Sequence, residues 1–307
     1  SFTGTVKNEM TTLKITETAK IALISGFFRN NYQIIKDSIT ISSENESVIA
    51  YLKELLGSYE EISYSEELLD NNNFSKNKLK ALVITKGDSF IKETFCIDNE
   101  VVPSYLVELD DEVRGYLKGV FLSSGSINDP KTSRYHLEFL INKKEEVVFV
   151  QKLLNTYSLN AKLLSRDKGF MLYIKEADKI SDFLKIIGCS KAVLYYEEIR
   201  VYRDTKNKTN RLNNCEQANM DRVLETAMEQ LNYIKVLEDN MGVELLDDKT
   251  KEALEYRKKY QEASLKELSE IISLETGKRI TKSGLNHRFR KIKELALKFM
   301  QDKRMKF

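Results

Sequence analysis

Two stretches of the chain decide its fold. Residues 22–34 read ALISGFFRNNYQI, and residues 115–127 read GYLKGVFLSSGSI. When Gly26 is aligned with Gly119, the stretches lie 93 residues apart, and each predicts an apolar helix with a small residue in the middle of one face. Because a residue without a side chain lets two helix backbones approach closely, we expect the two helices to pack against each other.

The chain after each stretch predicts similar elements, so the first 205 residues form a tandem α/β repeat. An acidic segment, residues 98–112, holds Pro103 and joins the two halves. The first copy continues with a strand at 34–42, a helix at 47–56 and strands at 59–64 and 79–85. The second copy continues with a strand at 135–141, a helix at 145–157, a hairpin at 161–174 and a helix at 177–187.

The composition excludes several classes of protein. Of 307 residues, 41% are hydrophobic and 31% are charged, which is enough for buried cores and too apolar for a disordered chain. Cys96, Cys189 and Cys215 are far apart and only two histidines occur, so neither a disulfide framework nor a zinc or His-rich centre is expected. The apolar run at residues 21–28 is too short to span a bilayer. We therefore expect a soluble cytoplasmic protein without a metal or another cofactor.

Charge is distributed unevenly along the chain. Residues 278–307 hold eleven Lys and Arg against two acids, whereas the first 277 residues hold 38 basic and 45 acidic residues. A charge step of this kind predicts a basic terminal module on an acidic body.

The basic terminus has the pattern of a helix-turn-helix. Ser264 with Glu267 predicts a capping box at the start of one helix, and a break follows at residues 273–277. A second helix opens near residues 281–283, and an earlier helix at 249–263 completes a small core. The apolar side chains recur at helical spacing: Leu265, Leu268, Ile271 and Ile272 in the first helix, and Leu285, Phe289, Ile292, Ala296 and Phe299 in the second.

The polar face of the second helix predicts contact with duplex DNA. Asn and Arg side chains can bond in pairs to base edges in the major groove, and Lys and Arg neutralise phosphates. A generic basic helical bundle is the alternative. The candidate DNA-binding residues lie between 264 and 297: Ser264, Lys278, Arg279, Lys282, Ser283, Gly284, Asn286, His287, Arg288, Arg290, Lys291 and Lys293.

The tandem repeat resembles the LAGLIDADG homing endonuclease fold, in which two motif helices meet and the acid closing each motif holds a divalent metal. Residues 24–32 and 117–125 match the nine motif positions, and Asn31 and Ser124 fall where the two acids belong. A hard cation that hydrolyses a phosphodiester needs charged oxygen ligands, which an amide and a hydroxyl do not supply. We therefore expect no catalytic residue, no metal site and no nuclease activity.

The chain as a whole resembles one family, the WhiA bacterial regulators. Three distant blocks carry the resemblance in the same order: residues 125–130 followed by 135–138, residues 210–222, and the terminal block with its two parts at 263–268 and 282–292. The departure is the inter-helix turn at residues 273–280, which is long for the motif.

The resemblance implies an α+β protein: tandem LAGLIDADG-like α/β repeats with pseudo-two-fold symmetry, followed by an all-α helix-turn-helix domain. It implies a sequence-specific duplex-DNA transcriptional regulator, tied to sporulation, cell division and chromosome segregation, that lies at the nucleoid and is not an enzyme. The family's body contacts DNA weakly or docks a protein, which in some members is an iron–sulfur regulator, WhiB. The predicted division is repeat 1 at 1–97, a linker at 98–112, repeat 2 at 113–205, a connector helix at 206–245 and the helix-turn-helix domain at 249–307.

Two other functions remain open from the sequence. The first is an active metal-dependent LAGLIDADG endonuclease. The second is a scaffold whose body binds a protein and whose DNA affinity is non-specific, which the 27 basic and 30 acidic residues of 1–205 mildly favour. The connector helix is predicted to begin near Cys215, with Asn213 or Asn214 as its cap, and to end before Gly242. It is either a core helix of the body or a stalk that joins the body to the helix-turn-helix.

Overall fold

The structure is a computed structural model that describes residues 1–70, 78–132 and 134–304, with side chains as far as residue 301. The chain divides into two compact units, Ser1–Asp204 and Thr205–Phe307. The predicted terminal domain runs to residue 307, and its last three residues lie outside the described residues.

The first half of unit 1 begins with two helices and then forms a small sheet. The first of these helices buries its Phe2, Val6 and Met10 side chains in the core of unit 1. The elements of this half are α1 (Phe2–Met10), α2 (Glu17–Arg29), β1 (Gln33–Ile35), β2 (Ser38–Ser43), α3 (Glu46–Gly57), β3 (Ser63–Leu69), β4 (Leu79–Lys86) and α4 (Asp88–Phe95).

The second half of unit 1 repeats the order that starts at α2. After a short 3-10 helix, Ser104–Leu106, the elements are α5 (Asp110–Ser124), β5 (Gly125–Ile127), β6 (Leu137–Ile141), α6 (Lys144–Thr156), β7 (Lys162–Ser165), β8 (Phe170–Ile174) and α7 (Ala177–Ile186). The two four-stranded sheets have the same antiparallel order, β1-β2-β4-β3 and β5-β6-β8-β7. The predicted tandem repeat is therefore confirmed.

Two strand predictions in the first half are wrong in detail. The segment predicted as one strand at 34–42 is a hairpin, because Lys36 and Asp37 adopt positive φ angles of 49° and 62° and turn β1 back onto β2. Two consecutive residues with positive φ match the right-handed twist of paired strands. The strand predicted at 59–64 starts at Ser63 instead, because the turn after α3 takes up residues 58–62.

Glycines bring the two motif helices, α2 and α5, into direct backbone contact, as the sequence predicts. A Cβ on Gly26 would lie 2.5 Å from the carbonyl oxygen of Tyr116, and one on Gly115 would lie 2.5 Å from that of Ala19. A Cβ on Gly119 would overlap the Leu23 carbonyl oxygen and lie 2.8 Å from the Phe27 nitrogen. Real Cβ atoms do not approach backbone this closely, so only glycine fits at these three positions.

The segment between the halves belongs to the core of unit 1. Val102 and Leu106 are 5% and 4% exposed and pack with the side chains of both halves. The predicted linker at 98–112 also overlaps α5, which starts at Asp110. Because both sheets and both motif helices share one continuous cluster of buried side chains, unit 1 is a single folded body.

One long helix, α8, spans Ser190–Asn240 and carries the chain into unit 2. No helix starts at Cys215, which lies in mid-helix, so the cap predicted at Asn213 or Asn214 is wrong. The prediction depends on the preference of asparagine for helix N-caps, and the continuous helix overrides that local preference. Among the described residues, no helix has both the length and the apolar character needed to cross a membrane.

Unit 2 is helical in its described part. After a short 3-10 helix, Val243–Leu245, come α9 (Asp248–Lys259), α10 (Leu265–Thr276) and α11 (Lys282–Arg304). These helices bury a second cluster against the end of α8, to which α8 contributes Ile234 and Leu237. Helix α9 ends at Lys259, four residues before the predicted end, and its Asp247 cap accepts a hydrogen bond from Thr250 N.

Candidate nucleic-acid interface

The predicted capping box forms at the start of α10. The Ser264 hydroxyl accepts a hydrogen bond from Glu267 N at 3.1 Å, and the Glu267 carboxylate accepts one from Ser264 N at 2.7 Å. Ser264 is one of the candidate DNA-binding residues, and in the structure its side chain caps the helix. The capping box fixes the residue at which α10 begins.

The turn between α10 and α11 is shorter than the sequence predicts. Helix α10 continues through the expected break at 273–277 and ends at Gly277, whose φ of +68° stops the helix. The Ser273 hydroxyl accepts a hydrogen bond from Ile280 N at 2.9 Å and so fastens the turn to the helix. Only residues 277–281 form the turn, so the long turn predicted at 273–280 is wrong. The sequence predicts a break here because Leu274, which is 87% exposed, does not continue the apolar face of α10.

Helix α11 has the apolar stripe that the sequence predicts. Leu285, Phe289, Ile292 and Ala296 are between 0% and 4% exposed and pack against the rest of unit 2. Thr281 caps the helix by accepting a hydrogen bond from Gly284 N at 3.1 Å. Burial of this stripe fixes the rotation of α11 and decides which side chains face outward.

Seven of the twelve candidate residues form one outward surface on the turn and the first turns of α11. Asn286 is half-buried and the others are exposed. Within the described residues none of the five cationic or imidazole side chains of this set has an ion-pair partner. Gly284 is exposed beside the set. We call the set the reading surface: Lys278, Arg279, Lys282, Ser283, Asn286, His287 and Arg290.

Three further candidates form ion pairs with acids of unit 2. Arg288 donates to the Glu252 carboxylate at 3.0 Å and to the Lys249 carbonyl oxygen at 3.2 Å. Lys293 bonds to Glu229 at 3.0 Å, and Lys291 pairs with Asp247. These contacts tie α11 to α9, to the residue before α9 and to α8.

The ion pairs lower the pKa values of the two exposed acids. The Lys291 ammonium, together with Thr250 N–H, holds the pKa of the Asp247 carboxyl well below its usual range. The Lys293 ammonium, with the Tyr233 hydroxyl, lowers the pKa of Glu229. Both acids are solvent-exposed, so an anion from solution can compete for the same lysines.

A buried arginine behind α11 is a positioning residue that sequence reasoning missed. Arg257 is 1% exposed, and its guanidinium lies 5.6 Å from the centre of the Phe289 ring. It donates to Gln230 Oε1 at 2.9 Å and to the Ala263 carbonyl oxygen at 2.7 Å, and burial lowers its pKa. The available signal was spacing, because Arg257 follows the buried Thr250, Ala253 and Leu254 on one face of α9.

The two positions that match the nuclease acids are occupied by side chains with structural hydrogen bonds. The Asn31 amide donates to the Ser42 carbonyl oxygen at 2.9 Å, and its oxygen accepts from Ser42 N at 2.9 Å. The Ser124 hydroxyl donates to the Val120 carbonyl oxygen at 3.1 Å. Both polar atoms of the Asn31 amide are thus bonded to the backbone of β2.

A buried charge cluster lies beside these positions. The Arg29 Nε donates to Glu146 at 3.0 Å, and its Nη1 donates to the carbonyl oxygens of Cys96 and Asn99. The Tyr116 hydroxyl donates to the same Glu146 carboxylate. Burial opposes the charge on Arg29, but the Glu146 carboxylate more than offsets it, and the pKa of Arg29 is raised. Burial, and then the Glu146 carboxylate, raise the pKa of Tyr116.

The residues at the motif ends do not fit a divalent metal. A hard cation prefers carboxylate oxygens, whereas Asn31 and Ser124 are neutral and already bonded to backbone. Glu146 is the nearby acid, and Arg29 neutralises it. Across the described ranges, no three His, Cys, Asp or Glu side chains come together as a candidate metal site.

The fold and the site define a class of protein: a duplicated α/β body joined to a helix-turn-helix domain. The sequence profile of the WhiA LAGLIDADG-like domain matches residues 113–206, and that of the WhiA C-terminal HTH domain matches residues 209–296. The probable cell division protein WhiA of Staphylococcus aureus, strains JH9 and Newman, is 38% identical over 311 residues, which cover 96% of this chain and 96% of each relative.

Solved structures show the same fold. Full-length DUF199/WhiA from Thermatoga maritima matches with a TM-score of 0.59 at 23% identity, over 96% of this chain and 98% of that one. The N-terminal LAGLIDADG domain of DUF199/WhiA matches with a TM-score of 0.51 at 22% identity, over 61% of this chain and 90% of that one. The chain belongs to the WhiA family, and both the family and the α+β fold class predicted from the sequence are confirmed.

Proposed function

We propose that the protein is a sequence-specific regulator of transcription that binds duplex DNA through its helix-turn-helix domain at 249–307. The observation that carries the proposal is the chemistry of the reading surface and its surroundings. Residues 277–293 hold seven Lys and Arg and no acid. A helix with one buried stripe and an acid-free basic face is suited to the major groove.

Within this surface the side chains divide by chemistry. Asn286 and Arg290 lie one turn apart on α11 and have donors and acceptors that match base edges. Lys278, Arg279 and Lys282 lie at the turn and the helix start, where they can reach phosphates on either side of the groove. The first pair supplies base preference, and the three cations supply affinity that is independent of sequence.

The body does not hydrolyse DNA in this proposal. Asn31 replaces the first motif acid and is committed to the Ser42 backbone. Restoring the charge with Asn31→Asp together with Ser124→Asp removes the amide donor to Ser42 and lowers the free energy of unfolding by about 1–3 kcal/mol. We expect no magnesium-dependent nicking of plasmid DNA from the wild type or from this variant. Cleavage by the wild type would replace the proposal with the endonuclease alternative.

The biological role follows from the relatives, which are named probable cell division proteins. We propose that the protein regulates genes of cell division, sporulation or chromosome segregation, and that it works at the nucleoid in the cytoplasm. The body, with 27 basic and 30 acidic residues over 1–205, serves as a docking platform for a protein partner such as an iron–sulfur regulator of the WhiB type.

The direct test is selection of bound duplexes from a random pool with the full-length protein. One enriched sequence is expected. On that sequence, Asn286→Ala or Arg290→Ala is expected to cost about 1–3 kcal/mol of binding free energy and to relax the base preference at one or two positions. The exposed Lys144→Ala on α6 is the control and is expected to bind like the wild type.

The same selection separates the proposal from the scaffold alternative. A scaffold with only non-specific DNA affinity would enrich no sequence. Asn286→Ala and Arg290→Ala would then lower the affinity for every duplex by the same factor. That result would contradict sequence-specific recognition by α11.

A further inference from the structure

Helix α8 carries a second polar surface that the helix-turn-helix does not use. Residues 204–222 of this helix are all exposed, and between Tyr196 and Ala227 none of its side chains is buried. One face of this stretch spans three turns within an arc of about 140° and a length of about 16 Å. We call it the amide face: Lys206, Asn207, Asn210, Arg211, Asn214 and Gln217.

The composition of this stretch opposes an isolated helix. Asn is among the poorer helix formers, and five asparagines fall within residues 207–219. A helical stretch that buries none of its side chains has little to hold it in place. An amide-rich face kept helical and free of apolar burial is therefore suited to a polar partner.

The charge of the stretch indicates what that partner is. Residues 205–215 hold Lys206, Lys208 and Arg211 and no acid, although acids are frequent in the rest of α8. Among the described residues, neither Lys206 nor Arg211 has an ion-pair partner. The exposed apolar side chain within these three turns, Leu212, lies on the opposite side of the helix, and Met220 lies beyond the last turn at the edge of the face. The amide face itself therefore holds no apolar side chain.

We propose that the amide face is a second DNA-contacting surface, in which Lys206 and Arg211 bind phosphates and the amides between them reach base edges. Asn and Gln side chains pair with adenine edges, and a helix of this width fits the major groove. The inference rests on the proposed function, because it extends DNA binding from α11 to α8. It assigns to this helix a role beyond joining the two units.

The test compares two lysines of α8 in the full-length protein. Lys206→Gln and Lys208→Gln remove the same charge two residues apart, one on the amide face and one on the opposite side. Each phosphate contact contributes about 0.9 to the slope of log affinity against log salt. We expect Lys206→Gln to lower the slope on the selected duplex by about 0.9, Lys206→Gln with Arg211→Gln by about 1.8, and Lys208→Gln to leave it unchanged. When salt rises from 50 to 200 mM, the affinity of both proteins falls. The factor by which it falls should be about ten times smaller for the double variant than for the wild type.

A second variant tests base contact without weakening the helix. Asn210→Ala with Asn214→Ala and Gln217→Ala introduces better helix formers, so circular dichroism should show no loss of helix. We expect this triple variant to lose base preference at positions other than those affected by Asn286→Ala.

The two proposals fail in different ways. If the wild type binds no duplex with a salt-dependent affinity, DNA binding itself is refuted. If the wild type binds and the amide-face variants match it in salt slope and in base preference, DNA contact by α8 is overturned and recognition by α11 stands.

Discussion

Replacement of Gly119 by alanine tests the contact on which the whole body is built. A Cβ at this position would overlap the carbonyl oxygen of Leu23 and lie 2.8 Å from the nitrogen of Phe27, both backbone atoms of the facing helix. Backbone cannot rotate away as a flexible side chain can. Helices α2 and α5 would therefore have to move apart along their contact.

The magnitude follows from two opposing effects. Overpacking of a tight core costs up to about 3 kcal/mol, whereas Gly→Ala inside a helix gains about 1 kcal/mol of propensity. The free energy of unfolding of the Gly119→Ala protein should therefore fall by about 2 kcal/mol. Gly57→Ala is the matched control, because Gly57 ends α3 and has no heavy atom within 4 Å of its added Cβ. It should be neutral or stabilise by about 0.5 kcal/mol.

The assay is urea denaturation of the full-length proteins, followed by circular dichroism. The midpoint for Gly119→Ala should lie below that of the wild type, and the midpoint for Gly57→Ala should not. Equal midpoints for Gly119→Ala and the wild type would refute the backbone contact between the two motif helices.

Three further changes test the charge contacts and the accessibility of the surface. Glu146→Gln leaves the buried Arg29 without its counter-charge and should lower the free energy of unfolding by about 3–5 kcal/mol in urea titrations; an unchanged value would show that the pair is not desolvated. Asp247→Asn keeps a competent helix cap but frees Lys291. The affinity for random duplexes should therefore rise, and the slope of log affinity against log salt should steepen by about 0.9. An unchanged slope would contradict competition between the Asp247 carboxylate and phosphate. In native protein a thiol reagent should modify Cys215 alone, since the other two cysteines are buried, and fast labelling of more than one thiol would contradict the fold.

Periodicity and glycine placement predicted the parts of the fold that depend on buried faces. Gly26 and Gly119 marked the helix contact because a missing side chain in an apolar helix has few other physical uses. The stripe from Leu285 to Ala296 fixed the orientation of α11, because burial of one face leaves a single rotation for the helix.

The parts that failed depend on contacts between distant residues. The end of α10 depends on a hydrogen bond between Ser273 and Ile280, and no apolar spacing reports such a bond. The ion pair between the candidate Arg288 and Glu252 on α9 is likewise not visible in the helical spacing, and DNA contact by Arg288 stays a prediction. Long arginine side chains reach partners that helical position alone does not reveal.

In the proposed function, the basic turn and the first turns of α11 bind duplex phosphates. The most direct measurement is the salt dependence of affinity for the selected duplex, by fluorescence anisotropy, for the wild type and for Lys278→Gln with Arg279→Gln. The matched control is Lys144→Gln with Lys152→Gln, two exposed lysines of α6. We predict that the first variant lowers the slope of log affinity against log salt by about 1.8 and that the control leaves it unchanged. Equal slopes for the wild type and the Lys278→Gln, Arg279→Gln protein would contradict the account.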